Sequence, residues 1–152
     1  MSSIRNLFGH RPRTVTIALV IASGTAIVGI ILGVAGLYGY HPQPDDLSPI
    51  YNLLVLPHSS IDAQLTLLRG LALLIFAVKA LDPNNRARII VIALVATSFL
   101  FILLHGVRIV PNLESNTLNA WFNAAVFWGI QLLIASPIWL LANRAANRYY
   151  SD

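Results

Sequence analysis

Between Thr14 and Tyr38 the chain runs for about 25 residues without one charged side chain. A helix of that length, at ~1.5 Å per residue, exceeds a bilayer hydrocarbon core of ~30 Å, so the stretch predicts a membrane span that tilts. A soluble amphipathic helix needs a polar face, and this stretch offers none. A secretory signal has an apolar core of about 7–15 residues and a small-residue cleavage site; this run is too long and lacks a convincing site. We therefore read it as a retained span.

Three further apolar runs follow: residues 61–81, 89–110 and 118–142. The first two of these are joined by Asp82-Pro83-Asn84-Asn85, a strong turn, which makes them a hairpin. Composition agrees. The chain is 57% hydrophobic and 11% charged, where soluble domains carry ~25% charged residues. A soluble fold of 152 residues has no interior large enough to hide that much apolar surface, whereas lipid needs none of it hidden. The fold class expected is all-α, an integral membrane four-helix bundle with spans at about 14–38, 61–81, 89–110 and 118–142, forming a single domain over 1–152. Tyr149 and Tyr150 in the tail are expected as interface anchors, and Pro137 as a kink in the last span.

The basic residues set the orientation. The pI is near 10, but the cations sit at the ends of apolar runs rather than in a nucleic-acid-binding patch. With both termini cytoplasmic, one side collects Arg5, Arg11, Arg13, Lys79, Arg86, Arg88, Arg144 and Arg148, which is eight of the ten basic residues. The opposite side keeps Arg108 alone. The reverse arrangement violates the positive-inside rule at every loop. The linker after the first span opens with His41-Pro42-Gln43-Pro44 and cannot continue a helix. Its Pro49–Leu56 stretch, preceded by Asp46 or Ser48 as a cap, predicts a short interfacial helix over about 48–56. Ser60 or Asp62 is expected to cap the second span.

Two constellations stand out. Ala22, Ala26, Gly29 and Gly33 give the first span a small-residue face on which another helix can approach closely, within this chain or in a partner. The second is polar. Arg69 lies within the second span, and Asp62 precedes it by two helical turns on one face. His105 and Arg108 end the third span on a shared face, and Asn119 and Asn123 begin the fourth, four apart. In an antiparallel bundle these six residues reach the same outer depth and form a candidate polar pocket. A charge at mid-membrane costs at least ~2.5 kcal/mol on insertion scales, so it normally faces protein or water rather than lipid. One reading is structural: Arg69 pairs with Asp62 or Glu114 and pins the outer end. The other is a site for a quinone, lipid headgroup or anion, whose oxygens suit forked guanidinium donors.

Sharper chemistry is missing. There are no cysteines, so disulfides and thiolate metal sites are excluded. A bis-histidine haem needs two histidines within the spans, and only His105 qualifies. His41 and His58 with Asp45 and Asp46 lack tight metal-ligand spacing, so no metal is expected. No nucleophile elbow or phosphate loop occurs, and we assign no catalytic residue and no cofactor beyond a quinone or lipid.

The layout resembles the DoxX-like assemblage of small bacterial four-helix inner-membrane proteins. The resemblance is carried by a proline-containing outer linker, Asp62 seven residues before Arg69-Gly70, and the basic end His105-Gly106-Val107-Arg108. It covers about 48–110 and implies a multi-pass protein of the bacterial inner membrane, with some members resembling subunits of quinone-linked oxidoreductases. The functions expected are, first, a non-catalytic accessory or structural subunit among other membrane subunits or in a homo-oligomer; second, a quinone-, lipid- or anion-binding protein using the outer pocket; third, a small transporter, in which Asp62 matters to flux. No nucleic-acid partner is expected.

Overall fold

The computed structural model describes residues 11–39, 59–106 and 118–151. The chain is all-helical there: α1 Arg13–Leu37, α2 Ser60–Lys79, α3 Asn85–Gly106, α4 Leu118–Ala142 and the short α5 Arg144–Tyr149. α1 packs against α2 and α4, and α3 packs against the same two helices, so the four long helices close into a ring. α1 and α2 share the most extensive contact. Among the described residues, three helical segments, Arg13–Leu37, Ser60–Lys79 and Ala125–Ala142, are long and apolar enough to cross a membrane, and α3 is the further helix of the bundle.

Local chemistry explains the ends. α1 starts after Pro12 and closes at Tyr38 and Gly39. Gly39 takes φ +81°, a left-handed conformation that a side chain disfavours, and its N–H reaches the Gly36 carbonyl at 3.2 Å. α2 is capped by Ser59, ahead of the expected Ser60 or Asp62. The Asp62 N–H donates to Ser59 Oγ at 3.1 Å, and the Ser59 hydroxyl donates to Asp62 Oδ2 at 2.8 Å, a reciprocal cap related to the capping box. α3 begins at Asn85, four residues ahead of the apolar run at Ile89, because Asn84 Oδ1 accepts the Ala87 N–H at 3.1 Å. Arg86 and Arg88 are therefore part of the helix, not of the turn. The expected interfacial helix at 48–56 lies outside the described residues.

The interior is built mainly from small residues. Ala18, Ala22, Ala26, Ala63, Ala77, Ala80, Ala87, Ala135 and Ala146 are buried, while larger apolar side chains point outward, Val20 at 67% exposure and Trp139 at 73% among them. Water would penalise that arrangement; a hydrocarbon solvent does not, because lipid tails are as apolar as leucine. Pro137 sits inside the unbroken α4 with its ring fully buried.

The α1–α2 seam is the closest approach. A Cβ built on Gly33 would lie 2.7 Å from both the Leu67 amide nitrogen and its Cβ, and one on Gly70 would lie 2.9 Å from the Ala26 carbonyl and the Ile30 nitrogen. Gly33 facing Leu67, and Gly70 facing Ala26 and Ile30, make the two helices antiparallel. At Gly29 the nearest atom to an added Cβ is the Gly70 Cα at 3.7 Å, ordinary contact. Ala26, Gly29 and Gly33 of the expected face thus lie against α2 of the same chain, and Ala22 is buried.

Candidate functional site

The candidate pocket residues fall into two groups. Asp62 and Arg69 are described. His105 lies on α3 and Asn119 and Asn123 on α4, but their side chains, and all of Arg108, lie outside the described residues. Asp62 and Arg69 are half-buried on α2, and with Phe76 they repeat every seven residues on one stripe. That stripe is distinct from the exposed one formed by Ile61, Leu65, Leu68 and Ile75. Arg69 is therefore turned away from the most exposed side of its helix, as a mid-span charge must be. The Asp62 carboxylate is engaged by its own cap, accepting from Ser59. Seven residues of helix separate Asp62 from Arg69 by ~10 Å along the axis.

Deeper in the bundle lies Gln131, 2% exposed and the one buried polar side chain of the core among the described residues. Its Oε1 accepts no hydrogen bond from the protein. Its depth was legible from the sequence; its burial was not, because a fourth-span face cannot be assigned until neighbouring helices are placed.

A hydrogen-bonded polar assembly stands at the opposite end, where α1 begins, α2 turns into α3, and α4 hands over to α5. α5 is capped by Asn143, whose Oδ1 accepts the Ala146 N–H at 2.8 Å. The helix then folds over the end of α2. The Tyr150 hydroxyl donates to the Ala80 carbonyl at 2.7 Å and the Tyr149 hydroxyl to the Leu81 carbonyl at 2.8 Å. Two phenols from 68 and 70 residues away thereby bond carbonyls just beyond the end of α2. The two rings meet edge to face at 4.9 Å. Arg88 lies over the Tyr150 ring at 5.2 Å and donates from Nη2 to Asn147 Oδ1.

For Tyr150 this corrects the expected interface-anchor role. Tyr150 is 6% exposed and belongs to the core, with its hydroxyl spent on a protein carbonyl. Burial pushes its phenol up to about 12; Tyr149 adds to the rise, and the Arg88 and Arg11 charges oppose it. No periodicity could have revealed this contact, which depends on α5 turning back across the bundle end.

Among the described residues no group of three or more His, Cys, Asp or Glu is placed to hold a metal ion. Comparison with protein-family models, with curated proteins and with solved structures found no match.

Proposed function

We propose that the chain is a non-catalytic, four-span protein of a bacterial inner membrane, with both termini cytoplasmic, serving as an accessory or structural subunit of a larger membrane assembly. α3, at 22 residues or ~33 Å, has the length of a span and completes the ring. The orientation is supported by the gathering of Arg11, Arg13, Lys79, Arg86, Arg88, Arg144 and Arg148 at one end, seven of the eight Lys and Arg among the described residues.

The observation that carries the subunit reading is the outer face of α4. Ala125 and Gly129, four apart, are both exposed, and nothing lies within 4 Å of a Cβ built on Gly129. On α1, Gly29 and Gly33 lie against α2 while Gly24 is open, and the α4 pair is likewise left over, flanked by the large exposed side chains Phe122 and Leu132. Small residues on an outward face let a further helix approach closely. Native mass spectrometry of the protein extracted in mild detergent tests this. Other polypeptides, or a second copy, are expected in fixed ratio and are lost in Gly129→Leu. A wild-type protein that emerges as a lone monomer overturns the reading.

A second reading is supported by Arg69. A half-buried guanidinium within a span suits a quinone carbonyl or an anionic headgroup entering from the outer side. A stoichiometric quinone or lipid that co-purifies with the wild type and disappears in a folded Arg69→Ala variant favours it. Equal retention by both proteins sinks it.

A further inference from the structure

The bundle end that carries α5 holds seven cations against a single described acid, Asp82. Two of these cations are fixed by neutral partners. Arg88 is held by the Asn147 amide oxygen and the Tyr150 ring, and Lys79 stands 5.7 Å from the centre of the Phe76 ring. An aromatic face or an amide orients a cation without cancelling its charge. A carboxylate in the same place would have cancelled it.

The exposed cations also share a vertical pattern. On α1, Arg13 is followed on the same face by Ile17 and Val20, 52% and 67% exposed. On α2, Lys79 stands one turn beyond the exposed Ile75, and on α3, Arg86 stands one turn before the exposed Ile89. Three helices of one bundle thus each present a cation at the end and an outward isoleucine about one turn deeper. An acidic soluble protein could use the charges but not the apolar steps beneath them. A phospholipid uses both.

We propose that this end of the bundle is a binding surface for anionic phospholipid, with the phosphate headgroups at Arg13, Lys79 and Arg86 and the upper acyl chains against Ile17, Ile75 and Ile89. The inference rests on the membrane reading above and goes beyond it: it assigns a lipid class and the residues that select it. Headgroups are bound at the bundle's rim, while Arg88, tucked beneath α5, adds to the field without leaving its neutral partners. Each exposed cation near an anionic leaflet contributes about fivefold to the preference.

The test uses the full chain in mild detergent with phosphatidylglycerol and phosphatidylcholine as competing probes, read by native mass spectrometry. The wild type is expected to retain phosphatidylglycerol over phosphatidylcholine. Arg13→Gln, Lys79→Gln and Arg86→Gln singly should each lose roughly fivefold of that preference, and the triple variant most of it. Arg86→Lys should keep it. These side chains are exposed, and circular dichroism confirms that each variant remains helical; the single variants decide the question if the triple variant does not fold. Equal retention of the two lipids, an unchanged preference in the Gln variants, or displacement of phosphatidylglycerol by inorganic phosphate overturns the proposal. So does an acidic polypeptide occupying this end in place of lipid. A protein that fails to insert into phosphatidylcholine vesicles overturns the membrane reading itself, whereas one that inserts without lipid preference overturns only this inference.

Discussion

The two halves of the ring are held by different means. Along α1 and α2, glycines bring two backbones so close that a methyl group at Gly33 or Gly70 has no room. Around α4, the interior is filled by bulk instead: Phe127, Gln131, Pro137 and Leu141 are buried. The contrast shows what drives helix association in lipid. Apolar burial alone gains little when the alternative solvent is also apolar, so close van der Waals contact must supply the attraction. Small residues achieve it by proximity, large ones by filling volume. At Gly33 and Gly70 the first seam tolerates no added atom, while the second tolerates exchange of atoms at constant volume.

Substitutions along the two seams should separate these cases. The largest effect is expected at Gly33→Ala, where the new methyl would meet Leu67 backbone at 2.7 and 2.8 Å. A shift of one helix is required, at a cost of about 1–3 kcal/mol. Gly70→Ala should cost slightly less, since its contacts open to 2.9 Å. Both are read as loss of thermal stability in mild detergent. If either is neutral, the seam is not the tight element described.

Next comes the tail. Tyr150→Phe leaves the buried Ala80 carbonyl without its phenol donor and should cost about 1–2 kcal/mol. The same phenol has a pH signature. Its folded pKa, about 12, lies above the ordinary value of 10.0, so the neutral form is the one the fold favours. Its contribution is therefore fully present below pH ~10 and is lost as pH rises toward 12. Spectrophotometric titration of tyrosine near 295 nm should show a late-titrating phenol in the wild type that is absent from Tyr150→Phe. An unchanged titration curve would mean that the ring is not buried under α5.

The volume-filled region should respond mildly. Gln131→Met keeps most of the bulk and removes an amide oxygen that accepts no protein hydrogen bond, so stability should be unchanged or higher by ~1 kcal/mol. A clear loss would reveal a bonded partner for that oxygen. The smallest effect belongs to Gly29→Ala, on the same glycine pair as Gly33 but with 3.7 Å of room, where a change within ~0.5 kcal/mol is expected. A ranking that places Gly29→Ala beside Gly33→Ala would break the distinction between the two glycines.

Much of this fold was legible in advance, for reasons that can be named residue by residue. The uncharged run from Thr14 and the placement of arginines at span ends follow from transfer into lipid, and the Asp82-Pro83-Asn84-Asn85 turn from local backbone preference, all local properties of side chains. Helix starts were legible only to within a few residues, because Ser59 and Asn84 outcompeted other residues able to cap. Gly29 and Gly33 could be read as a packing face but not ranked, since their difference lies in what α2 places opposite each. In the candidate pocket, Arg69 was recognisable as a charge out of place in a span. That Asp62 is occupied by Ser59 required the geometry of the helix start.

What the amino-acid sequence determined by itself is therefore helicity, the positions of the apolar segments and the side on which the cations collect. Each depends on one residue and its solvent, or on a turn of four. The tertiary structure alone decided which glycines have no room for a side chain, which polar side chain is buried, and that the Tyr149 and Tyr150 hydroxyls bond the Leu81 and Ala80 carbonyls beyond the end of α2. Those outcomes depend on the relative position of helices distant along the chain, fixed by steric contact and by hydrogen bonds such as that between Tyr150 and Ala80. A periodic pattern carries no information about the partner a face will meet.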